Sequence, residues 1–176
     1  MTPAELHKTA ILPAYGLLPA KMNSPEASLM LLAIPLQESE LRSRRQLITE
    51  VINDKKTLVP KGPAVSFWQF EQGDPKSRAG VWGVLNHFKV GPMARDICTA
   101  LGVVPTPPKV WEAMQTNDVL AACMARLLLY SSPKALPRIG DVQGAWNTYE
   151  GIWRPGKPHP EKWPAHYATA RAALGV

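Results

Sequence analysis

The chain has 176 residues, of which 45% are hydrophobic and 19% charged, a composition that excludes a disordered or fibrous protein and suits one globular domain. A formal net charge of +6 favours an anionic partner, such as nucleic acid, an anionic membrane or a bacterial cell wall. Because the basic residues are scattered along the chain, we expect no dedicated nucleic-acid-binding surface.

The first twenty residues predict a helix and no signal peptide. Thr2-Pro3-Ala4-Glu5 is a capping box with proline at the first helical position, and we expect the helix to stop or kink before Pro13. The apolar stretch 10–20 is interrupted by prolines and has no basic segment before it, unlike a signal peptide. No apolar run in the chain reaches transmembrane length, so the sequence predicts neither export by its own signal nor membrane insertion.

A buried helix is predicted after Ser24, which is a good N-cap and is followed by proline at the first helical position. Every residue from 29 to 36 is apolar, as expected of a helix in a core. The helix ends in Glu38 and Glu40, where the helix dipole and apolar surroundings both raise a carboxyl pKa towards the range of a general acid. The residues alone leave open whether these glutamates are catalytic or only mark where the helix reaches water.

The next segment, Arg45–Asn53, predicts a short helix because its apolar residues lie at helical spacing. Residues 54–63 predict a surface loop, and any β-ribbon is confined to residues 55–75. Further helices are predicted over 80–88, 92–101, 118–130, 141–149 and 164–174.

The predicted fold class is mainly α, with at most a small β-ribbon, in a single domain over residues 1–176. The helix 118–130, capped by Thr116 or Asn117, is the second nearly all-apolar helix and is predicted to pack on the first. Pro105–Pro108 predicts a stiff linker between helices.

Cysteine and histidine patterns predict neither disulfides nor a bound metal. Cys98 and Cys123 are the only cysteines, form no C-x-x-C motif and lie in apolar helical segments, so we expect buried free thiols. His159 and His166 have no cysteine or acidic cluster at ligand spacing, and we expect no cofactor.

Three short sequence blocks follow one another along the chain. They are Gln37-Glu38-Ser39, the run G-P-A-V-S-F-W-Q over 62–69, and A-W-N-T-Y-E-G over 145–151. Together they resemble the soluble lytic transglycosylase family of the lysozyme-like superfamily. In that family a Q-E-S helix end carries the catalytic glutamate, a G-A-x-G-L-M-Q block follows, and an A-Y-N-A-G block closes the cleft. The resemblance covers residues 24–174 and leaves 1–23 as an N-terminal helical extension.

The resemblance implies a lysozyme-like helical domain whose buried central helix carries the catalytic residue. Glu38 is implied as the single general acid/base, which protonates the glycosidic oxygen of a MurNAc–GlcNAc bond in peptidoglycan. The same residue then deprotonates the C6 hydroxyl of the muramic ring and gives a 1,6-anhydro product. The match to Q-E-S selects Glu38 over Glu40.

The implied substrate-binding residues come from all three blocks. Ser39 is expected to support the hydrogen bonding around Glu38, and Gln69 and Asn147 to line sugar subsites. The full predicted set is Ser39, Phe67, Trp68, Gln69, Trp146, Asn147 and Tyr149. In the family the aromatic residue of this block sits where Trp146 is here, and Tyr149 lies three residues further along the chain.

Three departures from the family pattern keep alternatives open. Pro35 lies inside the catalytic helix, removes a hydrogen bond to Leu31 and predicts a kink. Ser66 with Phe67-Trp68 replaces glycine and leucine-methionine, which predicts a bulkier cleft wall. Glu71 is either a solvated loop carboxylate or the second carboxylate of an inverting lysozyme.

A further alternative is a non-enzymatic virion or assembly protein that keeps the fold as a scaffold. A muralytic domain lacking an export signal is typical of a bacteriophage or prophage. We therefore expect a virion-associated protein, with other virion proteins as partners, or one that stays in the cytoplasm until it is released to the cell wall.

Overall fold

Helices dominate the fold, and a computed structural model describes all 176 residues. The helices are α1 Pro3–Leu6, α2 Leu12–Tyr15, α3 Pro25–Ser39, α4 Gly80–Asn86, α5 Gly91–Ala100, α6 Pro107–Ala113, α7 Asp118–Ser131, α8 Val142–Trp153 and α9 Trp163–Leu174. The strands β1 Arg45–Ile52 and β2 Lys55–Val65 form one antiparallel sheet. The predicted mainly α class with a small β-ribbon is confirmed.

The N-terminal segment is helical through Pro13, so the helix does not stop before this residue, but its regular α-helical winding is interrupted just ahead of it. A π-helical turn, His7–Ile11, joins α1 to α2. A π turn widens the helix just where the proline ring would collide with the preceding turn. Leu6, Ile11 and Ala14 are buried in the common core. Residues 1–23 are therefore an integral part of the core rather than an appended extension.

Helix α3 lies at the centre of the molecule. Ser24 caps it as predicted, with its Oγ accepting a hydrogen bond from the Ala27 N–H at 3.2 Å. Every residue from 27 to 36 is buried, and the helix packs mainly against α9 and also against α7. A helix that is apolar on all sides is stable in water only when it is enclosed in this way.

The segment 45–65 is a β-hairpin, so two predictions were wrong: the helix over 45–53 and the loop over 54–63. The ribbon also begins ten residues earlier than the predicted range 55–75. Half of the residues in β1 are β-branched, a composition that favours strand over helix. Asn53 and Asp54 both have positive φ, 50° and 60°, as a tight hairpin turn requires.

The C-terminal half follows the predicted helices with shifted ends. Asn117, not Thr116, caps α7, because its Oδ1 accepts from the Leu120 N–H at 2.9 Å. The predicted linker 105–108 ends inside α6, which begins at Pro107. Helix α8 continues to Trp153, four residues past the predicted end. That extra turn brings Trp153 to the candidate site.

One apolar cluster of 43 buried residues extends from Leu6 to Ala170. Cys98 and Cys123 are buried free thiols, as predicted, and burial raises their pKa to about 11 and about 12. Thiols with these pKa values are scarcely ionised at neutral pH and are poor nucleophiles. None of the helices combines the length and apolarity needed to span a bilayer.

Candidate active site

A cleft of about 1400 Å³ opens at the C-terminal end of α3. One side is formed by residues 37–47, where α3 ends and β1 begins. The opposite side comprises residues 69–71 and 77–87, and the end of α8 with the following loop, 151–162, closes the site. All three blocks singled out in the sequence contribute at least one residue to the lining.

Glu38 lies half-buried in this cleft, one residue before the end of α3. Its Oε1 accepts a hydrogen bond from the Tyr149 hydroxyl at 2.7 Å. Burial raises the pKa of Glu38 to about 7, and the Tyr149 hydrogen bond partly opposes that rise. A carboxylic acid with this pKa is substantially protonated near neutral pH, which is the state that a general acid needs.

Tyr149 is positioned by an aromatic cluster beneath α8. Its ring stacks on Trp163, with centroids 5.2 Å apart and planes 10° from parallel, and lies 5.4 Å from the Trp146 ring. Burial and the neighbouring Glu38 charge raise the pKa of Tyr149 far above its ordinary range. The phenol is therefore protonated near neutral pH, where its hydroxyl donates to Glu38.

Glu40, the other glutamate at this helix end, has the opposite environment. It pairs with Arg42 at 2.6 Å and with Lys162 at 3.2 Å. The Lys162 hydrogen bond is the largest influence on Glu40 and lowers its pKa. Two carboxyls two residues apart thus favour different protonation states, and only Glu38 is suited to donate a proton.

Ser39 links the helix end to the neighbouring turn. Its hydroxyl lies within hydrogen-bond distance of two carbonyl oxygens, that of Phe67 at 2.8 Å and that of Pro35 at 3.0 Å. The residue after Glu38 is thereby fixed to both the last helical turn and the 66–69 segment.

Pro35 and Trp68 compensate one another. Proline has no N–H, so the Leu31 carbonyl in α3 lacks its usual backbone donor. The buried Trp68 indole N–H donates to this carbonyl at 3.1 Å, and the helix continues to Ser39. The proline inside the helix and the tryptophan in the second sequence block are therefore one structural feature.

The segment 66–69 is a tight turn closed by reciprocal hydrogen bonds between Val65 and Phe70, at 2.8 and 2.9 Å. Ser66 and Gln69 in the turn have positive φ, 63° and 52°. Glycine takes up this left-handed conformation without strain, whereas serine and glutamine hold it at some cost in free energy. Gln69 lines the cleft, and its side-chain amide N–H donates to the Ser66 carbonyl at 2.7 Å.

Four predicted substrate-binding residues do not reach the cleft, and this part of the prediction is corrected. Phe67 and Trp68 are fully buried, so they form core rather than a bulkier cleft wall. Trp146 is buried in the aromatic cluster under Tyr149. Asn147 is exposed and pairs with Gln143 at 2.9 Å, away from the cleft lining. On α8, only Tyr149 of the three predicted residues faces Glu38.

Glu71 lines the same cleft as Glu38 and is exposed to solvent. Its position is fixed through the backbone, since its carbonyl accepts from the Val81 N–H at 3.0 Å. Gly80, with φ of 61°, allows this close approach, because a Cβ atom there would collide with the Glu71 carbonyl. A second carboxylate is therefore held at the cleft by a defined loop.

Two further residues line the cleft and were not among the predicted site residues, although Gln37 belongs to the first sequence block and Trp153 to the aromatic-rich C-terminal segment. Gln37 donates to the carbonyls of Pro158 and His159 at 2.7 and 3.0 Å, and its Oε1 lies 2.8 Å from His166 Nδ1. It therefore fastens the closing loop to the end of α3. Trp153 lines the cleft and donates from its indole to the Trp68 carbonyl at 3.0 Å. Because the predicted helix ended at residue 149, the sequence did not place Trp153 beside the cleft.

The lining of the cleft is basic. Six arginine or lysine side chains face three carboxylates; the six are Arg42, Arg45, Arg78, Arg154, Lys157 and Lys162. Arg42 and Arg45 belong to a short basic group in the sequence, and the other four come from two distant segments, so the fold gathers the charge of the cleft from three parts of the chain. A polar cleft of this charge and volume suits an extended, anionic polymer better than a small apolar ligand.

No group of three or more His, Cys, Asp or Glu side chains is arranged to hold a metal ion. Comparison of the chain with protein-family models, curated proteins and solved structures finds no match.

Proposed function

We propose that this protein cleaves the MurNAc–GlcNAc β-1,4 bond of peptidoglycan as a lytic transglycosylase within the lysozyme-like superfamily. The observation that carries the proposal is the environment of Glu38. Its carboxyl is half-buried in a large basic cleft, and burial raises the pKa of this carboxyl to about 7. The three sequence blocks and the buried helix that ends in this glutamate support the same family.

In the proposed reaction, protonated Glu38 donates its proton to the glycosidic oxygen as the C1–O bond breaks. The resulting carboxylate accepts the proton of the C6 hydroxyl while the C6 oxygen bonds to C1. A 1,6-anhydro ring forms and no water is consumed. A pKa near neutrality allows one residue to perform both proton transfers. Tyr149 stabilises the carboxylate form by donating to its Oε1.

A hydrolytic lysozyme is the second candidate, and Glu71 is the observation that favours it. The residue lines the same cleft and carries a carboxyl able to activate water in an inverting reaction. A non-enzymatic scaffold, suggested by Pro35 and the altered second block, gains little support, because the Trp68 indole offsets the proline and keeps the helix intact up to the glutamate.

Digestion of purified peptidoglycan, with products identified by mass spectrometry, tests the proposal. Wild type should release anhydro-muropeptides, and Glu38→Gln should lose at least about 100-fold in rate, as expected for a missing general acid. Glu40→Gln is the matched control, since it removes a carboxylate from the same helix end without removing the acid.

Each outcome separates the candidates. Reducing-end products that disappear in Glu71→Gln indicate the hydrolytic lysozyme. Absence of any product across the pH range refutes both enzymatic candidates and leaves the scaffold. The proposed association with a phage virion is tested by whether the protein co-sediments with purified particles.

A further inference from the structure

A second cavity, of about 450 Å³, lies at the N-terminal end of α3. Because α3 has 15 residues, this end is about 22 Å along the helix from the end that carries Glu38. Ser132 borders both this cavity and the far end of the cleft. Neither the three sequence blocks nor the proposed reaction makes use of it.

Arg126 is the unusual residue in the cavity lining. The side chain is only 5% exposed, and its Nε donates to the Met22 carbonyl at 2.9 Å. Its Nη1 is buried without any hydrogen-bond partner, and no carboxylate lies within ion-pair distance. A buried guanidinium with no anion within ion-pair distance is unfavourable, and the Tyr130 ring, 5.5 Å from Arg126 Cζ, offsets only part of that cost. An anion held in the cavity against the Arg126 side chain would offset more of it.

The other charged residues of the cavity are mostly basic as well. Lys89 donates to the Tyr130 carbonyl at 2.8 Å and lies 3.8 Å above the centre of the Tyr130 ring. Lys134 and Arg138 are exposed at the rim. With Arg126 these residues supply four positive charges, and Glu26 supplies the only negative one.

The helix terminus adds to this positive field. The cavity is lined by Ser24 and Glu26, the N-cap and a first-turn residue of α3. Pro25 between them has no N–H, and the Ser24 hydroxyl takes up the Ala27 N–H. The helix dipole places partial positive charge here, which favours an anion close to the Arg126 side chain.

We propose that this cavity is a binding site for a phosphate group. A net charge of three positive units, one of them on a buried guanidinium, matches a phosphate dianion better than a singly charged carboxylate. The cavity is also larger than one phosphate ion, so it has room for a phosphate carried by a small polyol or sugar.

Isothermal titration with inorganic phosphate at pH 7.5, at constant ionic strength set by NaCl, tests the site. Wild type should bind with a Kd of about 1 mM or tighter. Arg126→Met should weaken binding at least about tenfold, and Lys134→Gln about threefold, as expected for a buried and an exposed contact. Lys162→Gln, a basic residue of the cleft, is the control and should bind as wild type does.

Several results would overturn the proposal: no saturable binding by wild type, unchanged binding by Arg126→Met, loss of binding in Lys162→Gln, or equally tight binding of acetate. If Arg126→Met does not fold, the exposed pair Lys134→Gln/Arg138→Gln carries the test and should weaken binding about tenfold. A competition experiment with glycerol phosphate distinguishes free phosphate from a phosphate group that is carried by a larger molecule. Competition by this ester indicates a phosphate that belongs to a larger molecule, and its exclusion indicates free phosphate.

Discussion

Replacing Glu38 with glutamine should stabilise the protein above pH 7, and this prediction is independent of any activity. Burial raises the pKa of Glu38 from 4.5 to about 7. Between these values the folded protein retains a proton that the unfolded chain has released, so the contribution of this group to stability falls as the pH rises. At 1.36 kcal/mol per pH unit, the loss amounts to about 3 kcal/mol at pH 8.

Urea unfolding of wild type and Glu38→Gln in the same buffers measures this difference. At pH 4.5 the two proteins should have nearly equal free energies of unfolding, because the pH has only reached the unfolded-state pKa of the carboxyl and the integrated difference in bound protons is still small. At pH 8 the variant should be more stable by about 3 kcal/mol. Glu71→Gln, which removes an exposed carboxylate from the same cleft, should show no such gain. A difference at pH 8 that equals the one at pH 4.5 would refute the assigned burial of Glu38.

Three further predictions concern the surroundings of this residue. Tyr149→Phe removes a hydrogen bond that lowers the Glu38 pKa, so the alkaline limb of the pH–rate profile for peptidoglycan digestion should move to higher pH. Trp68→Phe should cost about 1–3 kcal/mol in urea unfolding because the Leu31 carbonyl loses its donor. Pro35→Ala should reduce that cost by restoring a backbone N–H, and additive effects in a double-mutant cycle would contradict the pairing. Digestion should also slow when NaCl is raised from about 50 to 500 mM, since a basic cleft and an anionic wall attract less strongly in salt.

The elements that the sequence predicted well are those determined by local chemistry. Ser24 and Asn117 cap their helices through hydrogen bonds to residues three positions away. The apolar run 29–36 required burial on all sides, and this requirement placed α3 at the centre of the core. The raised pKa of Glu38 follows from the same burial, so the preference for a protonated carboxyl at this helix end was also foreseeable.

The ribbon and the cleft wall depend on contacts that the sequence does not display. In Arg45–Ile52 the apolar residues fit a helical spacing only by coincidence. The β-branched composition of this segment and the tight turn at Asn53-Asp54 favour a strand instead. Phe67 and Trp68 are aromatic, and aromatic side chains are common in sugar-binding sites. Only the position of Leu31, 37 residues earlier, shows that Trp68 is needed in the core.

The pairing of Pro35 with Trp68 has an evolutionary consequence. A chain that acquired the proline first would carry an unsatisfied carbonyl in its central helix, at a cost of about 1–3 kcal/mol. A chain that acquired the tryptophan first would accept the proline at much lower cost. The tryptophan is therefore the permissive change, and relatives of this protein should include chains that have Trp68 without Pro35 but few that have the reverse.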